Sequence, residues 1–198
     1  MTSALVVIDV QNDFCDGGAL AVPDADAILP IVNRLVGDHE HVFLSQDWHP
    51  PGHVSFASSH PGTVVFSRIM LDSGEQILWP DHCVADSHGA AFHPSLEQPP
   101  RARIVRKGCR RTIDSYSAFF ENDRRTPVGL DDLLRQAGIE RLILCGLATD
   151  YCVLHTALDA RRLGYDVSVV EAACRGIDVA GSLAAAWNAL AAAGVRRE

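Results

Sequence analysis

The sequence predicts one α/β domain, residues 1–198, built as a three-layer sandwich in which a mostly parallel sheet carries helices on both faces. Three observations lead to this prediction. Short apolar runs alternate with helical patterns, and each run is continuous, as in strands that are buried on both faces. The chain has 198 residues and is 47% hydrophobic, which is enough for one sizeable core. No repeat, low-complexity tract or linker divides the sequence.

Strands and helices are expected to alternate along the chain. Five strands are predicted from the apolar runs at residues 5–8, 42–44, 104–105, 142–144 and 167–170. Helices are predicted at residues 25–36, 130–137, 150–163 and 182–193, and a glycine ends each of the last three. Residues 50–100 are rich in proline, glycine and histidine, which predicts long loops with a small hairpin.

Charge and cysteine content indicate the expected partners and compartment. The net charge of −8 argues against a nucleic-acid partner, because such proteins usually present a basic face. No apolar run approaches the ~18 residues of a membrane span, so no membrane partner is expected. Six scattered cysteines without a C-x-x-C pair, and an N-terminus without a basic leader, predict a cytoplasmic protein with free thiols. A secreted protein with three disulfides is the alternative.

Reactive side chains follow four of the predicted strands. Asp9 ends the first strand, Asp47 the second and Lys107 the third, and the fourth runs into a segment that contains Cys152. Ligands of open parallel sheets bind beyond the carboxyl ends of the strands. We therefore expect these four side chains to meet at one edge of the sheet.

A metal site is predicted beside them. Asp47 and His49 are two residues apart on an extended segment and so project to the same side. His82 is the expected third ligand, and His53 is left open as a neighbour of the ligands or an occasional fourth one. Imidazoles with one carboxylate suit Zn²⁺, Fe²⁺ or Mn²⁺, and three protein ligands leave coordination positions open for catalysis. The alternative is chance proximity among nine histidines.

Cys152 is the predicted nucleophile. It falls at the start of a predicted helix, which should lower its thiol pKa, and Lys107 should add to that effect. Asp9 could accept the thiol proton and deliver it to a leaving amine, while Lys107 pairs with Asp9. The backbone N–H groups of Ala148 and Cys152 are candidates for binding an oxyanion. His155, three residues after Cys152, offers a Cys–His dyad as an alternative.

Five segments of the sequence carry a resemblance to a known family. They are Asp9-Val10-Gln11-Asn12-Asp13-Phe14, Gln46-Asp47-Trp48-His49-Pro50-Pro51-Gly52-His53-Val54-Ser55-Phe56, Trp79-Pro80-Asp81-His82-Cys83-Val84, Lys107-Gly108 with Asp114-Ser115-Tyr116-Ser117-Ala118-Phe119, and Gly146-Leu147-Ala148-Thr149-Asp150-Tyr151-Cys152. With them the chain resembles nicotinamidases (pyrazinamidases) of the isochorismatase-like cysteine hydrolase superfamily. The second and third segments are specific, because the wider superfamily generally lacks this metal set.

The resemblance implies hydrolysis of nicotinamide, and of analogues such as pyrazinamide, to the acid and ammonia in NAD salvage. It implies a thioester on Cys152, with Asp9 and Lys107 as the other members of a catalytic triad. It also implies one divalent ion that holds the pyridine nitrogen, with zinc expected first and iron or manganese as alternatives. The implied ligands are Asp47, His49 and His82.

The same resemblance implies the substrate-binding residues. Phe14, Trp79 and Tyr116 match positions that sandwich the ring, and Ala148 contributes through its backbone. A cis peptide between Leu147 and Ala148 is also expected. The partner is a small-molecule substrate, and a homo-oligomer is left open. Two other functions compete: another hydrolase of the superfamily, acting on a vinyl ether or a carbamoyl amide, and a non-catalytic metal- or ligand-binding domain.

Overall fold

A computed structural model describes residues 2–198 of the chain. Strands and helices follow one another along the described residues as β1 Ser3–Ile8, α1 Leu29–Asp38, β2 Val42–Asp47, β3 Arg68–Leu71, β4 Gly74–Ile77, β5 Arg103–Lys107, α2 Leu130–Gln136, β6 Arg141–Leu147, α3 Leu154–Arg162, β7 Asp166–Arg175, α4 Ser182–Ala192 and β8 Arg196–Arg197.

Six strands form one sheet in the order β5-β2-β1-β6-β7-β8, and every neighbouring pair is parallel. The chain builds outward from β1 to β2 and β5, then returns beside β1 as β6 and builds the other way. Crossovers between parallel strands are right-handed as a rule, and this rule puts α1, which connects strands in one direction across the sheet, on the face opposite to α3 and α4, which connect them in the other. The predicted three-layer sandwich is confirmed, and the border of β1 with β6 is the point where strand order reverses.

The centre of the sheet explains why the apolar runs are continuous. Along β1, every residue from Ala4 to Ile8 is at most 1% exposed, because helices cover both faces. β6 is equally closed from Leu142 to Leu147 and pairs with β1 in register, Ser3 opposite Arg141. These two strands therefore form the rigid centre of the sheet, directly below the edge at which ligands bind.

The close contact between β1 and β6 depends on a glycine. Gly146 has φ +115°, and a Cβ at this position would lie 2.1 Å from the carbonyl oxygen of Ile8. L-residues rarely adopt such a φ, and no side chain fits between the strands here. Gly146 thus allows the end of β6 to lie against β1. Shortly after it along the chain, the peptide bond between Leu147 and Ala148 is the cis peptide that precedes the site.

All five predicted strands are present, and so is the small hairpin, formed by antiparallel β3 and β4. The first predicted helix is divided: residues Ala25–Ile28 form a 3-10 turn, and the α-helix begins at Leu29 with Pro30 in its first turn. The helix predicted from residue 150 becomes α-helical only at Leu154, after a π-helical turn, Thr149–Val153. The two-residue edge strand β8 was not predicted.

No helix among residues 2–198 combines the length and the apolar character needed to span a bilayer.

Candidate active site

The four side chains predicted to meet do lie together. Asp9 follows β1, Asp47 and Lys107 end β2 and β5, and Cys152 lies in the π-helical turn after β6. All four are buried, and Cys152 is the most exposed at 6%. Carboxylate oxygens of Asp9 and Asp47 and the Cys152 sulfur all lie within 4.8 Å of one another. Parallel strands thus bring residues from the whole length of the chain to one edge.

A buried ammonium connects them. Lys107 Nζ lies 2.9 Å from Asp9 Oδ2 and 3.4 Å from Cys152 Sγ. It also donates hydrogen bonds to Asp47 Oδ1 at 2.5 Å and to the Ser115 carbonyl at 3.0 Å. Burial lowers the pKa of Lys107, but the Asp47 and Asp9 carboxylates outweigh it and raise the pKa well above its usual value. Lys107 is therefore a permanent cation shared by both acids.

The Asp9 carboxylate is held in place by its neighbours. Its Oδ1 accepts the Ser45 hydroxyl at 2.6 Å, and its backbone N–H donates to the same hydroxyl at 3.2 Å. Its Oδ2 forms an ion pair with Lys107 at 2.9 Å, and a carboxylate oxygen of Asp9 lies within 4.8 Å of the Cys152 sulfur, so the thiol has a proton acceptor nearby. Burial raises the pKa of Asp9, with Lys107 opposing and Asp47 adding. The carboxylate therefore binds a proton more strongly than an exposed aspartate would.

The predicted lowering of the Cys152 pKa is wrong. Burial raises the thiol pKa well above 9.0; Lys107 opposes this, but Asp9 and Asp47 add to it. The prediction relied on a helix N-terminus, whereas the thiol lies in a closed turn before α3, beside two carboxylates. The resting form is the neutral thiol, so nucleophilic attack would require a base within reach, and the Asp9 carboxylate lies within 4.8 Å of the sulfur.

The predicted metal ligands also lie together. His49 Nε2 and His82 Nε2 lie 3.6 and 4.0 Å from Asp47 Oδ2. His49 Nδ1–H donates to the Gly108 carbonyl at 3.0 Å, and His82 Nδ1–H donates to the Pro80 carbonyl at 2.8 Å. A carbonyl can only accept, so both imidazoles carry a proton on Nδ1, and both Nε2 atoms are directed at Asp47, where each can offer a lone pair to an ion once it carries no proton. This donor set fits a divalent cation.

Electrostatics support that fit. Burial lowers the pKa of His82 to about 4, with His49 adding to the effect, so His82 is neutral and able to ligate. Burial also lowers the pKa of His49, but the Asp47 carboxylate outweighs it and raises the pKa. Lys107 and the two imidazoles overcome the effect of burial on Asp47 and lower its pKa, so it stays ionised. A metal ion would therefore replace a proton on His49.

Gly108 permits this arrangement of His49. It has φ +63°, and a Cβ there would lie 2.3 Å from His49 Cε1. Only a glycine lets the end of β5 pass so close to the imidazole and offer its carbonyl to Nδ1.

His53 packs beside the candidate ligand His49, and its ring nitrogens contact other partners. Its ring stacks on His49 with centroids 4.2 Å apart. Its Nε2–H donates to the Ile113 carbonyl at 3.1 Å, and its Nδ1 accepts the Ser55 hydroxyl at 2.7 Å. Both ring nitrogens therefore have hydrogen-bond partners. Two roles were left open for His53, a fourth ligand or a neighbour of the ligands, and this geometry fits a neighbour that orients His49.

A narrow pocket separates the thiol from the imidazoles. The four residues expected to bind substrate all line it, with Asp47, His49, His82 and Cys152. The Tyr116 hydroxyl is held there, because it accepts hydrogen bonds from Trp79 Nε1 and Gln76 Nε2, both at 3.2 Å. The full lining is Phe14, Leu20, Asp47, His49, Trp79, His82, Asp114, Tyr116, Ala148, Tyr151, Cys152 and Ile177.

Four of these lining residues were not predicted from the sequence. Asp114 lies in a segment that carries the resemblance and could have been proposed from it, as could Tyr151. Leu20 and Ile177 lie in loops that carry no motif, and only the folded chain brings them to the pocket.

The peptide between Leu147 and Ala148 is cis, as expected. The Ala148 carbonyl accepts the N–H groups of Tyr151 at 3.1 Å and Val153 at 3.2 Å, which closes the π-helical turn. The Ala148 N–H belongs to this cis peptide, and Ala148 lines the pocket. The N–H of Cys152 lies in the first turn of the helical segment, where the helix itself supplies no partner. Both donors are suited to an oxyanion.

The Cys–His dyad is not formed. The His155 ring lies 5.2 Å from the Tyr116 ring, and it lines a separate groove with residues of α3 and of the segment after β5. Tyr116 lines both cavities, so it stands between His155 and the pocket that contains Cys152.

A second group of ligand-type side chains lies outside this site. Cys15, Asp26 and His93 have ligand atoms within 4.8 Å of one another. His93 Nδ1 accepts the N–H of Ser95 at 3.1 Å, so its proton is on Nε2, which faces Asp26 Oδ2 at 3.6 Å. This imidazole has no lone pair directed at the group, in contrast to His49 and His82, and a metal ion does not fit.

Comparison with known proteins identifies the relatives of the chain. Residues 3–196 match the isochorismatase domain family. Over 194 residues the chain is 48% identical to a nicotinamidase of Acinetobacter baylyi, covering 98% of this chain and 91% of that protein.

Solved structures agree with this relationship. A nicotinamidase and pyrazinamidase of Acinetobacter baumanii matches with a TM-score of 0.97 at 52% identity, covering 99% of this chain and 95% of that one. The pyrazinamidase of Pyrococcus horikoshii, solved in complex with zinc, matches with a TM-score of 0.82 at 33% identity, covering 100% and 99%.

Proposed function

The chain belongs to the isochorismatase family, and from that premise we propose that it hydrolyses nicotinamide, and analogues such as pyrazinamide, to the acid and ammonia. One observation carries the proposal: the Cys152 sulfur and the facing Nε2 atoms of His49 and His82 border one narrow, aromatic-lined pocket. A small aromatic amide would present its carbonyl to the thiol and its ring nitrogen to the histidines. The relatives reported above act as nicotinamidases, which favours this substrate over a vinyl ether or a carbamoyl amide.

The acylation step follows from the contacts of Asp9. Asp9 accepts the proton of the Cys152 thiol, and the thiolate attacks the amide carbon. The oxyanion is bound by the N–H groups of Ala148 and Cys152. Asp9 then donates the proton to the amide nitrogen, the C–N bond breaks and ammonia leaves, with the acyl group held as a thioester on Cys152. Lys107 keeps Asp9 in place and balances charge while the thiolate exists.

Deacylation uses the same residues in reverse. A water molecule attacks the thioester carbonyl while Asp9 accepts its proton. The C–S bond breaks, the acid leaves, and the proton returns from Asp9 to the sulfur of Cys152. Because Asp9 alternates between base and acid, its raised pKa serves both directions of proton transfer.

The chain offers a cation site formed by Asp47, His49 and His82. A bound divalent metal would supply a Lewis acid for the ring nitrogen of the substrate. We propose zinc, supported by the imidazole and carboxylate donors and by the zinc complex of the Pyrococcus relative, with iron or manganese as alternatives. Phe14, Trp79 and Tyr116 would flank the ring.

Three wider statements remain proposals. Residues 1–198 would act as one domain. All six cysteines are unpaired, which supports a reducing compartment such as the cytoplasm. NAD salvage is the proposed context of the reaction.

Ammonia release from nicotinamide tests the proposed function. We expect Cys152→Ala to lower kcat/KM by about 10⁴-fold or more, because the nucleophile is lost while binding is kept. Cys109→Ala is the matched control, since Cys109 is an exposed thiol outside the pocket, and it should keep wild-type activity. Full activity of Cys152→Ala, or a wild type that releases no ammonia, would reject the proposal.

A further inference from the structure

The loop between β7 and α4 is fastened to the active-site turn by one buried carboxylate. Asp150 is 4% exposed and lies two residues before Cys152 in the π-helical turn. Its Oδ1 accepts the N–H of Ile177 at 3.0 Å. Its Oδ2 accepts the N–H of Asp178 at 2.9 Å and the Ser182 hydroxyl at 2.5 Å. All three donors belong to the loop or to the first residue of α4.

The loop has little regular structure of its own. Asp178, Ala180 and Gly181 have φ values of +58°, +53° and +83°, and a single 3-10 turn, Val179–Gly181, is the regular structure between β7 and α4. Its approach to Asp150 is close: a Cβ on Gly176 would lie 3.1 Å from Asp150 Oδ1 and 2.7 Å from a methyl carbon of Leu183. Hydrogen bonds to a charged acceptor are roughly twice as strong as neutral ones, so Asp150 is the main polar attachment of this loop.

The attached loop forms part of the pocket. Ile177 lines it together with Tyr151 and Cys152, which belong to the turn that carries Asp150. One carboxylate therefore joins two walls that come from different strands of the sheet.

We propose that Asp150 is a positioning residue that holds Ile177 against the substrate ring and thereby sets the affinity of the pocket. Asp150 itself does not line the pocket and reaches the ring only through Ile177. The inference deepens the proposed function and rests on it, because it assumes that a ring occupies this pocket.

A graded series of variants tests the proposal kinetically. Ser182→Ala removes one of the three hydrogen bonds, Asp150→Asn removes the charge, and Asp150→Ala removes all three. We expect the KM for nicotinamide to rise in that order, by about tenfold or more for Asp150→Ala, with a smaller fall in kcat. Asp159→Asn, a buried acid of α3 that makes no contact with the loop, should leave KM unchanged. A fall in kcat at constant KM would overturn the proposal.

A double-mutant cycle separates positioning from a general loss of structure. Ile177→Ala should raise KM by itself and add little once Asp150 is already alanine, because the isoleucine is then no longer held. If the KM increase of the double variant equals the product of the increases of the two single variants, the two residues act independently and the proposal is overturned. If Asp150→Ala fails to fold, the same cycle with Ser182→Ala decides.

Amide hydrogen exchange supplies a readout that needs no substrate. The N–H groups of Ile177 and Asp178 should exchange about tenfold faster in Asp150→Asn, whereas those of the β3–β4 hairpin should not change. Unchanged exchange at both amides would overturn the attachment. A wild type without activity on nicotinamide would reject the proposed function and the ring-binding role of Ile177 with it, while the exchange result would still decide whether Asp150 holds the loop.

Discussion

At the scale of single residues, Lys107 joins two chemistries. It contacts the proposed base Asp9 and the thiol of Cys152 on one side and the candidate metal ligand Asp47 on the other. It is the only lysine in a chain that contains 17 lysines and arginines in total. A compact ammonium with three donors can reach three different acceptors from one point, which the planar fork of arginine cannot.

Substitution of Lys107 should affect stability as well as activity. Lys107→Met keeps the length of the side chain but leaves two buried carboxylates without a cation, which should cost about 3–5 kcal/mol of unfolding free energy. Urea unfolding measures the loss. Lys107→Arg keeps the charge and should retain more stability than Lys107→Met while still losing most ammonia release. A Lys107→Met protein as stable as the wild type would contradict the role of the shared cation.

The raised pKa of Cys152 predicts how alkylation depends on pH. Iodoacetamide reacts with the thiolate, whose fraction grows about tenfold per pH unit below the pKa. In a Cys109→Ala background, which removes the exposed thiol, the rate at Cys152 should climb from neutral pH past 9.0 without a plateau. Peptide mass mapping would follow this one site. A plateau near neutral pH would show a low thiol pKa and contradict the assignment of Asp9 as an essential base.

The sequence predicted which side chains meet at the edge of the sheet, because that depends on where each residue lies along its strand. It did not predict the pKa of Cys152 or the position of Ile177, because these depend on residues from other parts of the fold. Asp9, Asp47, Lys107 and Cys152 follow apolar runs, and parallel strands necessarily bring such ends together. The pKa of Cys152 depends on burial and on carboxylates from other strands, which no local pattern reveals. Ile177 was missed for the same reason, since only the attachment of its loop to Asp150 brings it to the pocket.

At the scale of elements, the site depends on how closely β6 lies against β1. Apolar continuity predicted both strands and their burial, because parallel strands covered on both faces need nothing polar inside. The π-helical turn after β6 was not predictable from periodicity. It has five residues, which are too few for the wider repeat of a π-helix to appear in the sequence. β8 was missed because two residues are too few to show any period.

The contact between these strands gives a prediction. Gly146→Ala would place a Cβ 2.1 Å from the Ile8 carbonyl at a φ of +115°, and should destabilise the protein by more than about 3 kcal/mol. Gly138→Ala is the matched control, because Gly138 has φ +64° but open space around its Cβ position, so only about 1 kcal/mol of strain is expected. Equal losses for both variants in urea unfolding would contradict the close packing described here.

At the scale of the whole molecule, the metal site joins two distant parts of the chain. Asp47 and His49 follow β2, whereas His82 lies after the β3–β4 hairpin, so a bound ion would fasten the long loop region to the sheet. Residue type and spacing predicted this ligand set, the resemblance implied the same one, and the direction of both Nδ1 hydrogen bonds supports it.

Metal binding should therefore stabilise the fold. Zinc at about 100 times its Kd should add about 2.7 kcal/mol of unfolding free energy and raise Tm, because the ion binds the folded chain alone. Chelation should reverse the shift and reduce ammonia release. His82→Ala should abolish the zinc-dependent rise in Tm, whereas His93→Ala, in the group that does not fit a metal, should retain it. A zinc-dependent rise that persists in His82→Ala would place the ion elsewhere.

The most direct measurement is whether the acid product protects Cys152 only when the metal is present. Nicotinate at saturation should slow alkylation of Cys152 by at least about tenfold in the zinc-loaded protein. The protection should largely disappear on chelation and in His82→Ala. In both cases the ring nitrogen of nicotinate would lose its contact with the metal ion, which would lie across the pocket from the sulfur. Equal protection with and without zinc, or none at all, would show that the thiol and the cation site do not bind the same molecule, and would contradict the account.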